Sequence, residues 1–393
     1  NTMQPMRPSH PSRQRARRAL PALLFLFLVA AGLRPAAPAL AACGGTTVVT
    51  TETQLNAAIA DFNGQAGPCA YEIEFDAGIT LTADLTTVNN ANAGVNLLID
   101  GAGFTLDGDD QYDVIEIQQS GVTIDRLTVI RAANDAVAAF NGSSLRVSRS
   151  SIANNGSDGI DSDAGSLVVT DSTIAFNGND GVEVSGTTGP HNIINSTISS
   201  NATRGAVTIS GETDLQLTYV TLYANGSSGV QGADGQITVH NSIVAGNHND
   251  CSPGGGTGTI VFDHSLVEDG ATTCVVTDGV DGNIVGADPL LGALGDYGGP
   301  THTHPPLVVT GGATQTSPVI DVGDNDLAID EADDPLEFDQ RGTGFPRVVN
   351  GTVDMGAVEG AETAVCGGTL VSTEAELNNA IAGIAQQNGT DLD

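Results

Sequence analysis

Along this chain an aliphatic residue is repeatedly followed by a polar stretch rich in Asn and Gly, then by a second aliphatic residue eight places on. Ile152 and Ile160, Ile174 and Val182, and Leu222 and Val230 bound three such stretches. The first aliphatic position returns as Leu106, Val129, Ile152, Ile174, Ile198, Leu222, Ile243 and Leu266, in steps of 21 to 24 residues. A period of that length predicts a solenoid.

Two more aliphatic columns run in phase with the first. One, eight residues later, reads Val114, Val137, Ile160, Val182, Ala206, Val230, Cys251 and Cys274. The other, five residues earlier, contains Ile124, Val147, Val169, Ile193 and Leu217. Each falls in a short alternating segment such as Leu145–Val147. Three short strands per turn, separated by polar turns, predict a parallel β-helix whose coils stack ~4.8 Å apart around an aliphatic interior. Asn155, Asn177, Asn201 and Asn225 stand three residues after the opening aliphatic in successive coils. They predict a ladder of side-chain amides at one turn. Gly159, Gly181, Gly205 and Gly229, at the seventh place, are expected to supply positive φ.

The ends of the repeat differ from its middle. Thr51 and Gln54 form a capping box, and Leu55, Ala58, Ile59 and Phe62 share one face, predicting a lid helix at 51–62 over the first coil. Cys251 and Cys274 occupy one column in adjacent coils, which sets their Cα atoms about 5 Å apart and predicts a disulfide. Cys43 and Cys69 are expected to pair across the lid.

Composition adds a compartment. Residues 1–42 carry six Arg, an apolar run from Leu20 to Leu33 and an Ala39-Leu-Ala41 cleavage site, the organisation of a secretory signal. Leu40-Ala-Ala-Cys43 also reads as a lipobox. Cys366-Gly-Gly-Thr, however, repeats Cys43-Gly-Gly-Thr far from the N-terminus, so the Cys belongs to the module. Lysine and Trp are absent, and 50 residues are Gly. Without the first 42 residues, seven Arg face 47 acidic residues, a net charge of −40. Such a field argues against nucleic-acid or anionic-membrane partners.

From Gly286 the period dissolves. Ala287-Asp-Pro-Leu-Leu-Gly292, Gly298-Gly-Pro-Thr301, Ser317-Pro-Val-Ile-Asp-Val-Gly323, Asp339-Gln-Arg-Gly342 and Asp354-Met-Gly-Ala-Val-Glu359 follow in order. This stretch resembles the C-terminal segment of bacterial choice-of-anchor Q domain-containing proteins, which carry a pectin-lyase-like, right-handed parallel β-helix. The match spans residues 286–359; an acidic loop, Asn325–Glu337, and Gly344-Phe-Pro-Arg347 depart from it. The resemblance implies an exported surface or extracellular protein with no assigned reaction. Domains are therefore expected as a signal peptide (1–42), a β-helix (43–285), an irregular C-terminal cap that closes the solenoid (286–360), and the start of a second, truncated module (361–393). In that second module, Thr373 and Glu376 repeat the capping box.

Candidate chemistry is confined to carboxylates. Asp135, Asp158 and Asp180 share a column that Arg204 continues, and Asp161 and Glu183 share another. Carboxylates one coil apart would serve as an acid–base pair or bind Ca²⁺, but Asp is also an ordinary turn residue. Asp107, Asp109 and Asp110, and Asp321, Asp324 and Asp326, are the further Ca²⁺ candidates, without the ordered spacing of a calcium loop. His302 and His304 lack a third zinc ligand. No nucleophile elbow, phosphate loop or polygalacturonase-like Gly-His-Gly segment is present. Arg341 and Arg347 are expected to form structural ion pairs in the cap. The sequence thus favours a non-enzymatic, exported, monomeric β-helix that meets extracellular glycans or surface proteins and needs no cofactor. A polysaccharide lyase or glycoside hydrolase is the competing reading.

Overall fold

The computed structural model describes residues 41–186, 189–210, 213–270, 274–309, 314–332, 334–360 and 364–365. Most of the expected signal segment (1–42), and nearly all of the expected second module (361–393), lie outside the described residues. Strand β1 (Ala41–Val49) leads into helix α1 (Glu52–Asn63). About nine coils follow. The central coils each contribute a strand to each of three parallel stacks. Sheet 1 contains Val95–Asp100, Gly121–Asp125, Ser144–Ser148 and Ser166–Thr170. Sheet 2 contains Thr105–Asp107, Thr128–Ile130, Ser151–Ala153 and Thr173–Ala175. Sheet 3 contains Ile115–Gln118, Val137–Phe140, Ile160–Ser162 and Val182–Ser185. His191–Ser199 and Leu215–Tyr223 run unbroken around the corner between sheets 1 and 2.

The aliphatic columns point inward and are buried, so the interior is one continuous apolar core. The register departs from the sequence reading at two places. Val137 pairs with Ile115, not Val114. Leu222 pairs with Val244 and Val244 with Val267, so Ile243 and Leu266 belong to the opposite face of sheet 2. Both ambiguities arise where two aliphatic residues are adjacent and either fits the spacing.

α1 covers the first coil. The Thr51 side chain accepts the N–H of Gln54 at 3.3 Å, and Leu55, Ala58, Ile59 and Phe62 are buried. Disulfides join Cys43 to Cys69 and Cys251 to Cys274, with Cα separations of 5.3 and 5.1 Å.

The Asn ladder holds one corner. Asn155, Asn177, Asn201 and Asn225 each pass a side-chain N–H to the Oδ1 of the next Asn at 2.9–3.0 Å. The same oxygens accept backbone N–H groups from the coil before. Asn247 is a fifth rung, and Asp250 ends the ladder by accepting its amide at 3.0 Å. A second ladder, unread in the sequence, runs through Ser150, Ser172, Ser196, Ser242 and Ser265. Hydroxyls of this set accept backbone N–H groups from the preceding coil, as at Leu127 and Ser150.

The seventh-place glycines do not adopt positive φ. They are required by close approach: a Cβ on Gly181 would lie 2.5 Å from the Ile198 methyl and 2.6 Å from the Gly205 carbonyl. Positive φ falls instead at two other corners: Arg131, Asn154, Phe176, Ser200, Ala224 and Gly246 form one column, and Arg126, Arg149, Asp171, Asn195, Tyr219, Asn241 and His264 another.

The segment expected to close the end of the solenoid lies along its flank. The described residues between Ala287 and Gly360 form a strap over the outer face of sheet 2. There Thr173, Thr197, Thr221, Ile243 and Leu266 stand in register. Gln340 bonds Thr173 and Thr197 at 3.0 and 2.6 Å, and the Ala357 N–H reaches Thr221 Oγ1 at 3.1 Å. Ile243 and Leu266 pack against Val319 and Met355. The outward row is therefore polar under the strap's polar groups and apolar under its apolar ones.

Candidate functional site

On sheet 3, residues 116, 138, 161 and 183 form one outward row, one per coil. Glu116, Asp161 and Glu183 are long or charged; Ala138 is short and leaves a dip between them. The resulting groove has a volume of about 320 Å³ and is lined by Asp113, Glu116, Asn134, Asp135, Phe140 and Ser157, with Ala138 in its floor. Phe140 lies two residues beyond Ala138 and hence on the same face of the strand. Neighbouring polar groups fix the rim: Asn134 donates to Asp113 at 2.8 Å and Gln118 to Glu116 at 2.6 Å.

The acidic column predicted from Asp135, Asp158, Asp180 and Arg204 borders this groove and is a turn ladder. Asp135 accepts the backbone N–H of Asp158 at 2.9 Å, and Asp158 accepts that of Asp180 at 2.7 Å. Asp180 accepts both the backbone N–H and the Nε of Arg204, at 2.9 and 2.8 Å. Burial pushes Asp158 up to about 6, against the lowering effect of the Asp180 N–H.

Asp161 and Glu183 pair directly in register beside this ladder. Burial, and then the charges of Asp135 and Asp163, raise Asp161 to about 6. Burial, reinforced by the Asp158, Asp161 and Asp180 carboxylates, raises Glu183 to about 7, with Arg204 opposing. Two adjacent carboxyls that hold protons near neutrality can donate hydrogen bonds to a ligand hydroxyl or exchange a proton with it.

The carboxylates of Asp158, Asp180 and Glu183 lie close enough together to share a cation. Arg204 already supplies one: its guanidinium pairs with Asp180 and stands 3.8 Å from Glu183. Of the other two Ca²⁺ candidates, one is met in the same way. Asp107 takes Arg131 Nε at 2.9 Å, with Asp109 3.5 Å from the same guanidinium and Asp110 3.9 Å away. Asp321 is not grouped with Asp324 and Asp326; it lies with Asp354 and Glu359, where Arg347 pairs with Glu359 at 2.9 Å. Asp324 accepts the N–H of Asp326 at 2.9 Å as a turn cap. A guanidinium therefore stands at Asp180, at Asp107 and at Glu359, and none at Asp324 or Asp326 among the described residues.

Arg341 pairs with Asp339, donates to the Glu359 carbonyl at 2.7 Å and lies 4.1 Å over the Phe345 ring. Arg347 is fully buried, 4.3 Å over the Tyr219 ring, and reaches Asn195 at 3.2 Å. Arg347 thus ties the strap to the flank, and Arg341 ties strap residues to one another. His304 is buried between the Gly292 carbonyl and the Ser199 hydroxyl, whereas His302 is exposed, so the two do not converge.

A second groove, about 420 Å³, lies on the outer face of sheet 1 among Thr46, Ala70, Glu72, Asn96, Leu98 and Thr123. Its one carboxylate, Glu72, is engaged by Thr46 at 2.7 Å.

Residues 113–268 match the family described as right handed beta helix region. The fold is a right-handed parallel β-helix. Among solved structures, the crystal structure of pectate lyase Pel9A is similar at a TM-score of 0.50, with 12% identity, covering 81% of this chain and 97% of that one. At that identity the likeness concerns the fold. A sequence search against curated proteins gives no match. Among the described residues, no helix is long and apolar enough to cross a membrane.

Proposed function

We propose that this β-helix is an exported, non-enzymatic glycan-binding module. The observation that carries the reading is the groove on sheet 3. It combines one aromatic face, Phe140, with a rim of carboxylates and an amide. Sugars present apolar C–H faces and rings of hydroxyls, and such a surface meets both. A shallow groove on a flat sheet suits binding along a polymer rather than enclosure of a scissile bond. Three of the candidate catalytic carboxyls, Asp135, Asp158 and Asp180, are spent on backbone N–H groups of their own turns. Two disulfides and the likeness of residues 286–359 to choice-of-anchor Q proteins support a place outside the cytoplasm. Ca²⁺ is not required in this reading, because Arg204, Arg131 and Arg347 occupy the acidic clusters.

The competing reading, a polysaccharide lyase or hydrolase, draws on Asp161 and Glu183, whose raised proton affinities suit acid–base work, and on the pectate lyase that shares the fold. A polysaccharide array probed with and without Ca²⁺ tests the proposal. Binding that Phe140→Ala weakens at least tenfold and that EDTA leaves unchanged is expected. Binding insensitive to Phe140→Ala overturns the assignment of the groove.

A further inference from the structure

The basic side chains beyond residue 42 are all committed away from the groove on sheet 3. The chain has no lysine, and the seven arginines of that part each stand in an ion pair. Arg131 pairs with Asp107 and Arg204 with Asp180, and the other five pair outside sheet 3. None of these pairs includes Asp113, Glu116 or Asp135, which line the groove, or Asp161, which pairs in register with its floor residue Ala138. Among the described residues, only neutral donors reach the first three. Asn134 donates to one oxygen of Asp113 at 2.8 Å, Gln118 to one of Glu116 at 2.6 Å, and the Asp158 N–H to one of Asp135 at 2.9 Å. After burial, the Asp135 charge is the next cause of the raised proton affinity of Asp161, as expected of carboxylates with no cation between them.

These charges are spread along the solenoid and not gathered at a point. Among the described residues, no three of the four carboxylates converge closely enough to share one ion. Glu116 and Asp161 flank Ala138 in a single outward row, two coils apart, which is roughly 9–10 Å. Phe140 offers a half-buried ring on the same face. An aromatic ring takes the apolar face of a sugar and also attracts an ammonium. The groove therefore suits a ligand with positive charges at intervals and apolar faces between them.

We propose that the groove takes a cationic glycan, a 1,4-linked chain of amino sugars with free amines, lying along the solenoid axis. Ammonium groups meet Glu116 and Asp161, and a pyranose face rests on Phe140. In an extended 1,4-linked chain each residue advances by about one coil spacing, and alternate residues turn the same edge to the surface. Amines on one edge thus recur at the spacing of Glu116 and Asp161, with Asp113 and Asp135 adding negative field at the rim. A uronate chain would be repelled, with no cation in the groove to bridge it. A basic peptide matches the charge but brings no fixed spacing and pays more to be ordered. This assignment names the ligand class for the glycan-binding reading of the same groove and rests on that reading.

Titration calorimetry with glucosamine oligomers, their N-acetylated counterparts, oligogalacturonate and polylysine tests this, at a pH where the amines are protonated. The amine oligomer is expected to bind about tenfold more tightly than its acetylated counterpart, the uronate weakest, and the amine preference should shrink as salt is added. Glu116→Gln and Asp161→Asn should each reduce that preference about threefold, while Phe140→Ala weakens the amine oligomer itself. Both carboxylates are half-buried on the outer face, and the amides keep their shape, so the core is untouched. Equal binding of the two oligomers, still dependent on Phe140, overturns the cationic class and leaves the glycan groove standing. Binding of none of the glycans overturns both. Polylysine binding as tight as that of the amine oligomer, and indifferent to Phe140→Ala, also overturns the proposal by assigning the carboxylates to polycations at large.

Discussion

Asn177 donates its side-chain amide to Asn201 Oδ1 at 2.9 Å, and that oxygen also takes the Asn177 backbone N–H at 3.1 Å. One amide thus satisfies two donors from the coil before it, while its own N–H₂ also reaches the Ile174 carbonyl at 3.3 Å. The site is buried, so no water replaces a lost partner. Asn201→Ala should therefore cost more than an average hydrogen bond, on the order of 2–4 kcal/mol, since more than one buried group is left unsatisfied at about 1–3 kcal/mol each. Thermal unfolding followed by circular dichroism would read it. A loss no larger than that of an exposed Asn→Ala change contradicts the ladder's role.

Gly181→Ala should destabilise through collision and not through backbone strain. Its φ is not positive, but the new methyl would meet a carbonyl and a methyl of the next coil. Overpacking of this kind costs about 1–3 kcal/mol. Pairing the change with Ile198→Ala should recover only the part due to the methyl contact, because the Gly205 carbonyl cannot move. Denaturant titration of both variants measures this.

Arg347→Ala should be among the most damaging changes in the strap. It would leave Glu359, itself buried and paired, without its cation, at about 3–5 kcal/mol. Arg341→Ala should cost less, about 1.5–3 kcal/mol, since its partner Asp339 keeps the backbone N–H groups of Arg341 and Glu359. Melting curves that rank the two variants the other way refute this account of the strap.

Stability should fall as pH rises from about 4 to about 7. Asp158, Asp161, Glu183 and Asp354 hold protons more tightly in the fold than in the unfolded chain, mainly through burial. In that window the native state binds more protons, so raising pH favours unfolding. Buried His191 and His304 act oppositely, because burial lowers their proton affinity and acid must charge them. Glu183→Gln should flatten the decline between pH 5 and 7. An unchanged pH profile in that variant argues against a raised proton affinity at Glu183.

The repeat, the coil register of the cysteines and the α1 cap were legible because each depends on spacing alone. Ile243 and Leu266 misled because an outward residue is apolar only when something covers it, and no local pattern announces the strap. The positive-φ column was unreadable for a similar reason. Asn154 and Gly246 suit it, but Phe176, Ser200 and Ala224 between them adopt it under the constraint of stacked coils, so residue type does not mark the column. The serine ladder was readable, since Ser150, Ser172, Ser196, Ser242 and Ser265 each stand two places before an inward aliphatic. Among the candidate site residues, Asp158, Asp180, Asp161 and Glu183 were found by column. The groove was not, because its floor is Ala138, a residue with no chemistry, and its shape comes from three coils at once.

The non-enzymatic reading is tested most directly by incubating the purified protein with acidic and neutral polysaccharides, with and without Ca²⁺. New reducing ends and unsaturated uronate products would be measured over time, with Asp161→Asn and Glu183→Gln alongside. The account predicts binding with no product from any polymer. Product release by the unaltered protein that either substitution abolishes would contradict it and make the Asp161–Glu183 pair the catalytic centre.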